Sequence, residues 1–340
     1  MAEVLVTGAT GFVGYHVVRA LAARGDDVVC LVRKTSKTAR IEPLGVRFAH
    51  GDVNDPASLP AAVAGRSIVY HVAGCTRHLH RRELQVNQDG CRNVAEACAA
   101  QGNPPVLLSI SSLAAAGPSP RDRLRTESDP IGPVSNYGRS KRAGELALER
   151  FADRVPITVL RPGIVLGEAD EVGLALFRMI GRLGIHLVPG WKPRRFSVIH
   201  AADLSQLMIL AAERGERLAP PPPRDGETTR TRGYYFAACD EHPTFGELGK
   251  MIGKALGRRF TFVKHVALPV AWLVAAGTEV AAQIVRRPFV FRMDKYREAR
   301  AGAWACSPQK AMDQLGFSAG SPLVDRLRET AEWYRAEGWL

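Results

Sequence analysis

A tyrosine and a lysine four residues apart, Tyr137 and Lys141, form a pair that is suited to proton transfer. They lie at the start of an amphipathic segment, where this spacing places both side chains on one face of a helix. A phenol, with a pKa of about 10, is a poor proton carrier near neutral pH unless a nearby cation stabilises its phenolate. Lys141 supplies that cation, so the pair can pass a proton to or from a substrate oxygen. Such pairs also occur by chance on exposed helices, so the prediction depends on the surrounding motifs.

A third polar partner is expected at the end of the apolar run Val106 to Ile110, which predicts a β-strand. Alternation along a strand points Ser109 and Ser111 the same way. Ser112 lies just past the strand, where its side chain can face a cleft. We therefore predict Ser112, rather than Ser111, as the catalytic hydroxyl beside the tyrosine and the lysine.

A glycine-rich turn, TGATGFVG, follows the first predicted strand and opens the first predicted helix. Glycine suits three of its positions because the turn is tight, the backbone must approach a pyrophosphate, and the helix must pack close to the strand. Free amides and the helix dipole then favour an anion. The turn predicts a dinucleotide site, with Gly14 packing helix against strand and with Gly8, Thr10, Gly11, Phe12 and Val13 binding the cofactor.

The end of the second predicted strand distinguishes between the two nicotinamide dinucleotides. An NAD site usually has Asp or Glu there to hold the ribose 2′-hydroxyl, whereas this strand ends in Arg33 and Lys34. Arg33, Lys34, Ser36 and Lys37 supply donors suited to a 2′-phosphate. NADP(H) is therefore the preferred cofactor and NAD(H) the alternative. Arg33 is the firmer candidate, since the lysines could simply be solvated.

Two further strand ends contribute to the predicted cofactor site. In GDVND, Asp52 could accept a hydrogen bond from an adenine amino group and Val53 could cover the ring, although Asp52 could equally cap the next helix. The fourth predicted strand ends in small residues, and Ala73 and Gly74 leave space for a ribose across the strand ends.

The first half of the chain alternates short apolar runs with segments of helical period, which predicts a doubly wound parallel sheet, the Rossmann fold of the α/β class. The predicted strands are Glu3 to Val6, Val28 to Val32, Val46 to His50, Ile68 to Val72, Val106 to Ile110 and Ile157 to Leu160. The predicted helices lie near Gly11 to Arg24, Pro56 to Ala64, Arg82 to Gln101 and Ser135 to Phe151.

After Gly167 helical segments dominate, which indicates a smaller, mostly helical substrate domain. These segments are Val172 to Leu183, Ala201 to Glu213, Phe245 to Leu256, Ala267 to Val285 and Leu323 to Ala336. The proline-rich stretch Ala219 to Gly233 predicts a surface loop. We assign residues 1–166 to the dinucleotide-binding domain, with 196–215 returning to it, and residues 167–195 and 216–340 to the substrate domain.

The order of these motifs resembles the extended short-chain dehydrogenase/reductases of the epimerase/dehydratase superfamily. The motifs are TGATGFVG, GDVND, HVAG, VNQDGCRNV, SISSLAAAG, YGRSK, RPGIVLG and FSVIHAADL, in the family's order over about 200 residues. The resemblance implies a catalytic serine five residues before Gly117, which is Ser112. The interval of 25 residues from Ser112 to Tyr137 is similar to the family's usual spacing.

The same resemblance implies two more contributions to the site. Asn87 should bind near the cofactor ribose or stabilise the active-site lysine through water, although a polar helix cap is the alternative. Pro162, Gly163 and Val165 should line the nicotinamide. Tyr137 and Lys141 would then contact the cofactor as well as the substrate.

Two departures from the sugar-nucleotide epimerases point to another branch. Small residues, Ala114 to Ala116, precede Gly117 in place of an aromatic residue, and Arg33 replaces an acidic residue. Both features are similar to dihydroflavonol reductase-like and 3β-hydroxysteroid dehydrogenase-like members. We expect an NADP(H)-dependent oxidoreductase that interconverts a secondary alcohol and a ketone on a fairly apolar substrate.

Two other functions remain as alternatives. The first is a sugar-nucleotide epimerase or dehydratase with no net cofactor turnover. The second is a non-catalytic NADP sensor, and the intact Ser112, Tyr137 and Lys141 argue against it. Apolar residues that would suit a hydrophobic substrate, although such side chains are more often core, are Leu187, Val188, Trp191, Trp272 and Leu273.

The charge and composition indicate which classes of partner the protein binds and whether it spans a membrane. The formal charge of +12 comes from scattered basic residues without a recognition motif, so a small molecule is expected as the partner and nucleic acid is not. The start lacks a signal-peptide pattern, and Glu279 and Gln283 interrupt the apolar stretch Val266 to Val285, so no spanning segment is expected. The family resemblance implies a homodimer formed through the helices near Arg82 to Gln101 and Ser135 to Phe151.

The cysteines and histidines suggest neither disulfides nor a metal. The six cysteines form no CxxC pair, which favours a reducing, cytoplasmic location. His71, Cys75, His78 and His80 are close in sequence, but no carboxylate accompanies them, so no metal site is predicted. The basic loop from Arg77 to Arg82 could instead flank the mouth of the cleft.

Overall fold

A computed structural model describes residues 1–76, 84–120, 122–220, 231–286, 289 and 291–340. The strands in this part of the chain are β1 (Glu3–Thr7), β2 (Asp27–Val32), β3 (Arg47–His50), β4 (Ile68–His71), β5 (Val106–Ile110), β6 (Ile157–Pro162), β7 (Ile164–Leu166), β8 (Ile185–Pro189), β9 (Val198–His200), β10 (Tyr234–Ala237) and β11 (Phe262–Val266). Seven of them form one parallel sheet in the order β10-β6-β5-β4-β1-β2-β3. The predicted doubly wound Rossmann fold is thereby confirmed.

The helices cover both faces of this sheet and build the rest of the molecule. They are α1 (Phe12–Ala23), α2 (Pro60–Val63), α3 (Gln85–Ala99), α4 (Leu113–Ala116), α5 (Asn136–Glu149), α6 (Glu171–Leu183), α7 (Ala201–Arg214), α8 (Phe245–Ala255), α9 (Leu268–Val285), α10 (Met293–Ala301), α11 (Gln309–Leu315) and α12 (Leu323–Ala336). Short 3-10 helices lie at Glu42–Leu44 and Pro56–Ser58.

Alternation along the strands fills two cores, one on each face of the sheet. In β1, Val4 and Val6 pack with α1, α7 and α11, whereas Leu5 packs with α2, α3 and α5. The strands are apolar on both faces because helices cover both faces, as expected for a buried parallel sheet. Strands β2 and β3 lie on one side of β1, and β4, β5 and β6 lie on the other side. The chain therefore leaves the carboxyl ends of β1 and β4 in opposite directions, and ligands bind at such a switch point in doubly wound sheets.

A smaller lobe follows β6 in the chain. Two pairs of parallel strands, β7 with β9 and β8 with β11, lie in it. Helices α6, α8 and α12 bury a core that includes Phe177, Ile252 and Leu327. Helix α8 begins at a capping box in which Thr244 and Glu247 satisfy each other's backbone amides.

The structure corrects the predicted elements at two places. A seventh strand, Tyr234–Ala237, joins the central sheet from within the range assigned to the substrate domain. The helix predicted over Pro56 to Ala64 is a 3-10 helix followed by α2, because Pro60 has no amide hydrogen to continue the first. Of the predicted loop Ala219 to Gly233, residues 221–230 lie outside the described part. The division into two domains otherwise stays a prediction.

Three buried histidines make stability depend on pH. Burial lowers the pKa of His16 and His200 to about 4 and the pKa of His71 to about 3, so all three fold as neutral rings. Because the unfolded chain binds protons below about pH 6.5, where these folded rings do not, stability is full above that pH and falls as the pH drops toward 4. Each histidine contributes on the order of a few kcal/mol to this loss.

We therefore expect the free energy of unfolding, measured in urea, to fall by several kcal/mol between pH 7 and pH 4.5. His200→Asn should flatten this slope, since one of the rings that gain a proton on unfolding is removed. Equal unfolding free energies at pH 7 and pH 5 would show that the buried rings do not carry the pH dependence.

Candidate active site

The glycine turn at the end of β1 is shaped by contacts that exclude side chains. Gly8 has a φ of +70°, and a Cβ on it would stand 2.7 Å from the backbone nitrogen of Ala73. A Cβ on Gly14 would stand 2.0 Å from the carbonyl oxygen of Gly8. The Gly11 amide donates to that same oxygen at 3.0 Å and closes the turn. Glycine is therefore required at positions 8 and 14 for the first helix to start so close to the first strand.

The amino end of α1 fits the diphosphate of a dinucleotide. Gly11 is its N-cap and provides no side-chain cap, and no acidic residue lies in the first turn. Thr10 and Gly11 are exposed, and Phe12 and Val13 are partly exposed. Backbone amides at such a helix start carry partial positive charge and bind anions. All five residues predicted from the turn thus lie together where α1 begins, and their binding of a cofactor stays a prediction.

The basic residues after β2 are exposed and leave their charges available. The amide of Arg33 donates to Ser36 Oγ at 3.0 Å, which closes a tight turn. The side chains of Arg33 and Lys37 are exposed, and within the described residues neither makes an ion pair. Their charges lie at the carboxyl end of β2, next to the glycine turn at the end of β1.

The contacts after β3 show whether Asp52 caps the following helix. Asp52 Oδ1 accepts from the Asn54 amide at 2.9 Å, whereas Asp55 caps the following 3-10 helix by accepting from the Ala57 amide. The helix-cap interpretation of Asp52 is therefore wrong. Val53 is buried, and its carbonyl oxygen accepts from Asn93 at 2.8 Å.

The serine, tyrosine and lysine converge at the end of β5. Ser112 is the N-cap of α4, with its Oγ accepting from the Ala114 amide at 3.1 Å, and its hydroxyl is near enough to the Tyr137 phenol to lower the pKa of that phenol. Lys141 is one turn further along α5, and its Nζ donates to the carbonyl oxygen of Ile110 at 3.0 Å. Three residues from two separate segments thus meet at one point.

The neighbouring serine has a different environment. Ser111 is buried and donates to Glu145 Oε1 at 2.6 Å, beneath the site. The two serines therefore diverge, with Ser111 toward the buried carboxylate and Ser112 toward the phenol. This arrangement agrees with the preference for Ser112.

Burial sets the protonation states of the pair. Burial raises the pKa of Tyr137 to about 12, and its hydrogen bond with Ser112 opposes that rise. Burial also lowers the pKa of Lys141, while the charges of Cys91 and Glu145 oppose that shift. At neutral pH Tyr137 therefore holds its proton, and the site is prepared to donate it.

Asn87 lies in α3 directly beside the lysine. Its Nδ2 donates to the Cys75 carbonyl at 3.0 Å and to Ser140 Oγ at 2.9 Å, while the Cys75 amide donates to its Oδ1 at 2.7 Å. A Cβ on Gly74 would stand 2.9 Å from Asn87 Oδ1 and 3.0 Å from Lys141 Nζ, so no side chain fits at position 74. Asn87 is not a helix cap, because the N-cap of α3 is Leu84.

The segment after β6 lies close to β9. The Ile164 amide donates to the Ser197 carbonyl at 2.9 Å, and a Cβ on Gly163 would stand 2.4 Å from that oxygen. Pro162 ends β6, and Val165 lies partly buried in β7. These residues leave the sheet at the same edge as Ser112, because β5 and β6 are parallel neighbours.

Helix α10 supplies residues that sequence reasoning missed. Asp294 accepts from the amides of Asn136 and Tyr137, both at 3.0 Å, and so caps the amino end of the catalytic helix α5. Glu298 accepts from Ser135 Oγ at 2.7 Å, and Lys295 Nζ lies 5.9 Å from the centre of the tyrosine ring. No local signal marked these residues, because about 160 residues of chain separate them from the helix that they contact.

The metal hypothesis gains no support from the geometry. In the part of the chain that the structure describes, no three His, Cys, Asp or Glu residues form a group that could hold a metal ion. His71 instead hydrogen-bonds to Thr7 Oγ1 at 2.9 Å. His78, His80 and the whole basic loop from Arg77 to Arg82 lie outside the described residues.

Comparisons with known proteins agree on the family. A family model described as NAD dependent epimerase/dehydratase matches residues 4–222. The chain is similar to a ceramide reductase of Caulobacter vibrioides, with 33% identity over 99% of this chain and 96% of that protein. It is also similar to sterol demethylase protein B of Methylococcus capsulatus, with 29% identity over 74% of each chain.

A solved UDP-glucose 4-epimerase from Thermotoga maritima has the same fold, with a TM-score of 0.74 and 19% identity over 98% of this chain and 99% of that one. These findings confirm the predicted oxidoreductase of the extended short-chain dehydrogenase/reductase type, an NAD(P)-dependent enzyme. The chain belongs to the NAD-dependent epimerase/dehydratase family.

Proposed function

We propose that the protein is an NADP(H)-dependent reductase that converts a ketone on a long-chain, lipid-like substrate into a secondary alcohol. The observation that carries this proposal is the meeting of Ser112, Tyr137 and Lys141 at the end of β5, where burial keeps the phenol protonated and the Lys141 ammonium is held on the Ile110 carbonyl. The glycine turn that fits a dinucleotide lies on the same edge of the sheet.

Residues of three segments would hold the cofactor. The α1 amides behind Gly8 and Gly11 would bind the diphosphate, Arg33 and Lys37 the 2′-phosphate, and Asn87 the region of the nicotinamide ribose. Asp52 with Val53 would contact the adenine, and Ala73, Gly74, Pro162, Gly163 and Val165 would line the remaining surface. When bound, the dinucleotide supplies a hydride to the carbonyl carbon of the substrate.

The chain's own residues supply the proton and position the substrate. Ser112 donates a hydrogen bond to the substrate carbonyl oxygen and holds it beside the phenol. As that oxygen gains charge, Tyr137 transfers its hydroxyl proton to it, so that hydride plus proton turn one ketone into one secondary alcohol. The Lys141 ammonium stabilises the resulting phenolate until solvent restores the proton.

Two features favour a lipid-like ketone. The relative with the fuller coverage is named a ceramide reductase, and small residues, Ala114 to Ala116, follow the catalytic serine. Trp191, Trp272 and Leu273 are exposed and add apolar surface to the smaller lobe. A sugar nucleotide would offer little apolar area to such a surface.

The first test is the absorbance of NADPH over time with purified protein and four kinds of substrate. These are the 3-keto form of a ceramide in detergent, a steroid ketone, an aryl ketone and UDP-glucose. We expect net NADPH oxidation with the lipid ketone. Isomerised UDP-glucose without net loss of NADPH would place the protein with the epimerases and overturn the proposal.

Arg33→Ala tests the cofactor preference. A charge-assisted hydrogen bond to a phosphate contributes roughly 1.5–3 kcal/mol, so we expect the KM for NADPH to rise about 10- to 100-fold. The KM for NADH should stay within about twofold, because NADH has no 2′-phosphate. Arg150→Ala, an exposed arginine at the end of α5, is the control and should leave both values unchanged. An equal rise for both cofactors would assign Arg33 a structural role.

A further inference from the structure

The smaller lobe exposes an unusually apolar surface, which we call the apolar-basic face. It comprises the outer side of the β8–β11 strand pair, the loop after β8, and helix α9. On the strand pair, Leu187 lies opposite Lys264, and Phe262 is 62% exposed. The inner side of the same strands is buried, as His186 and Val188 show. Alternation along the strands therefore presents large side chains to solvent on one side only.

Helix α9 continues this surface. A Cβ on Gly190 would stand 3.7 Å from Leu268 Cδ2 at the start of the helix, so the loop bearing the 65% exposed Trp191 adjoins it. The helix packs on the protein through small side chains, since its buried residues are Ala271, Ala275 and Ala282. Its large side chains face outward and are Val270, Trp272, Leu273, Val274, Val280, Ile284 and Val285.

Basic side chains outnumber acidic ones around these apolar residues. Residues 172–202 and 248–278, which include both strands and the first half of α9, contain ten Lys and Arg residues and no Asp or Glu. Lys192, Arg259 and Lys264 are exposed, and in the described structure none of them forms an ion pair. These two segments together carry a formal charge of +10, and the acidic residues Glu171, Glu247 and Glu279 lie just outside them. Apolar side chains flanked by unpaired cations complement an anionic lipid surface.

The helix is attached in a way that opposes a transmembrane orientation. By length and composition Leu268–Val285 could cross a bilayer, and only 17% of it is buried. However, Thr278 Oγ1 donates to the Phe291 carbonyl at 2.6 Å, and Arg292 Nε donates to Glu279 at 2.9 Å. These contacts fasten the middle of the helix to the chain that leads into α10. A spanning helix would take this ion pair into the hydrocarbon, at a high energetic cost.

We propose that the apolar-basic face docks the protein onto an anionic membrane surface, with α9 lying parallel to the bilayer at the boundary of headgroups and acyl chains. Bulky apolar side chains insert, and the surrounding lysines and arginines contact lipid phosphates. Helix α10 follows α9 directly and caps the catalytic helix through Asp294. Docking would thus bring the active site close to lipid substrates in the membrane. That last consequence rests on the proposed function, whereas docking itself does not.

Co-sedimentation with vesicles tests the proposal without any turnover. We expect the full-length protein to bind vesicles of equal phosphatidylglycerol and phosphatidylcholine, and to bind pure phosphatidylcholine at least tenfold more weakly. Binding should weaken as salt rises, because the lipid phosphates are screened. The double variant Leu273→Glu/Ile284→Glu changes side chains that are 62% and 77% exposed and should lower binding at least tenfold. Val172→Glu, on the exposed side of α6, is the control and should bind like the parent.

A second pair of substitutions preserves the apolar side chains. Lys192→Gln/Lys264→Gln should weaken binding to the anionic vesicles by about fivefold for each lysine removed, with no change on neutral vesicles. Absence of binding to anionic vesicles by the folded parent overturns the proposal. So does a dimer in light scattering that binds no vesicles and dissociates in Leu273→Glu/Ile284→Glu, because a second copy would then cover the face. A protein that binds vesicles but reduces no ketone overturns only the proposed function.

Discussion

Tyr137→Phe is expected to lower kcat for ketone reduction by about 10²- to 10⁴-fold, the range for loss of a positioned proton donor. The substitution removes one hydroxyl and keeps the ring in contact with its neighbours. Its proton has no replacement, since Ser112 gives its hydrogen bond to the substrate oxygen and Lys141 is fixed on the Ile110 carbonyl. Initial rates with saturating NADPH and substrate measure the effect, and the Kd for NADPH should change by less than about twofold.

A matched control separates chemistry from folding. Tyr235 also uses its hydroxyl in hydrogen bonds, at 2.8 Å to Gln314 and to the Glu216 amide, but it lies on β10 away from the site. Tyr235→Phe should cost about 1 kcal/mol of stability and leave kcat unchanged. If both variants kept full activity, another group would have to be the proton donor and the proposed mechanism would be wrong.

Arg161→Met is expected to lower the free energy of unfolding by about 3–5 kcal/mol. Arg161 is 1% exposed on β6, and its guanidinium donates to both oxygens of Glu145 at 2.8 and 2.7 Å. Removing it takes two charge-assisted hydrogen bonds from the buried Glu145 carboxylate and leaves it with the Ser111 hydroxyl and the Arg142 guanidinium, which costs more than the loss of one bond. Its neighbour Tyr234, with its ring centre 4.1 Å from the guanidinium, would lose a cation–π contact as well.

Denaturation in urea measures this loss, and two further variants interpret it. Arg328→Met breaks an exposed ion pair with Asp325 and should cost at most about 1 kcal/mol. The double variant Arg161→Met/Glu145→Met should recover part of the loss, because the buried carboxylate is removed together with Arg161 and Arg142 still pairs with Glu149. If Arg161→Met cost no more than Arg328→Met, the buried pair would not be a significant source of stability.

Much of the fold could be predicted because its signals are local. Alternating β-branched runs and helical segments identified six strands of the sheet, and the glycine turn located the first strand–helix junction. The seventh strand, Tyr234–Ala237, was missed because a long proline-rich stretch separates it from α7, the helix that precedes it in the chain. The β8–β11 pair was missed for the same kind of reason, since its two strands are about 75 residues apart in the chain.

Contacts between distant parts of the chain also limited the prediction of the site. The serine, tyrosine and lysine could be placed together from strand ends and helix spacing. The support around them is non-local, since Asp294 caps the catalytic helix from α10 and Arg161 reaches Glu145 from a strand. Such contacts depend on tertiary packing, which no short pattern encodes. The homodimer, the cytoplasmic location and the absence of a nucleic-acid partner stay predictions.

In the proposed reaction, a hydride is transferred to a lipid ketone and Tyr137 supplies the proton. The most direct test of this reaction uses NADPH deuterated at C4 in each of its two stereoisomers, with the 3-keto form of a ceramide as substrate and mass spectrometry of the product. We predict one deuterium on the new carbinol carbon from one of the two isomers, in a one-to-one ratio with NADPH consumed. A product without deuterium from either isomer would contradict the claim.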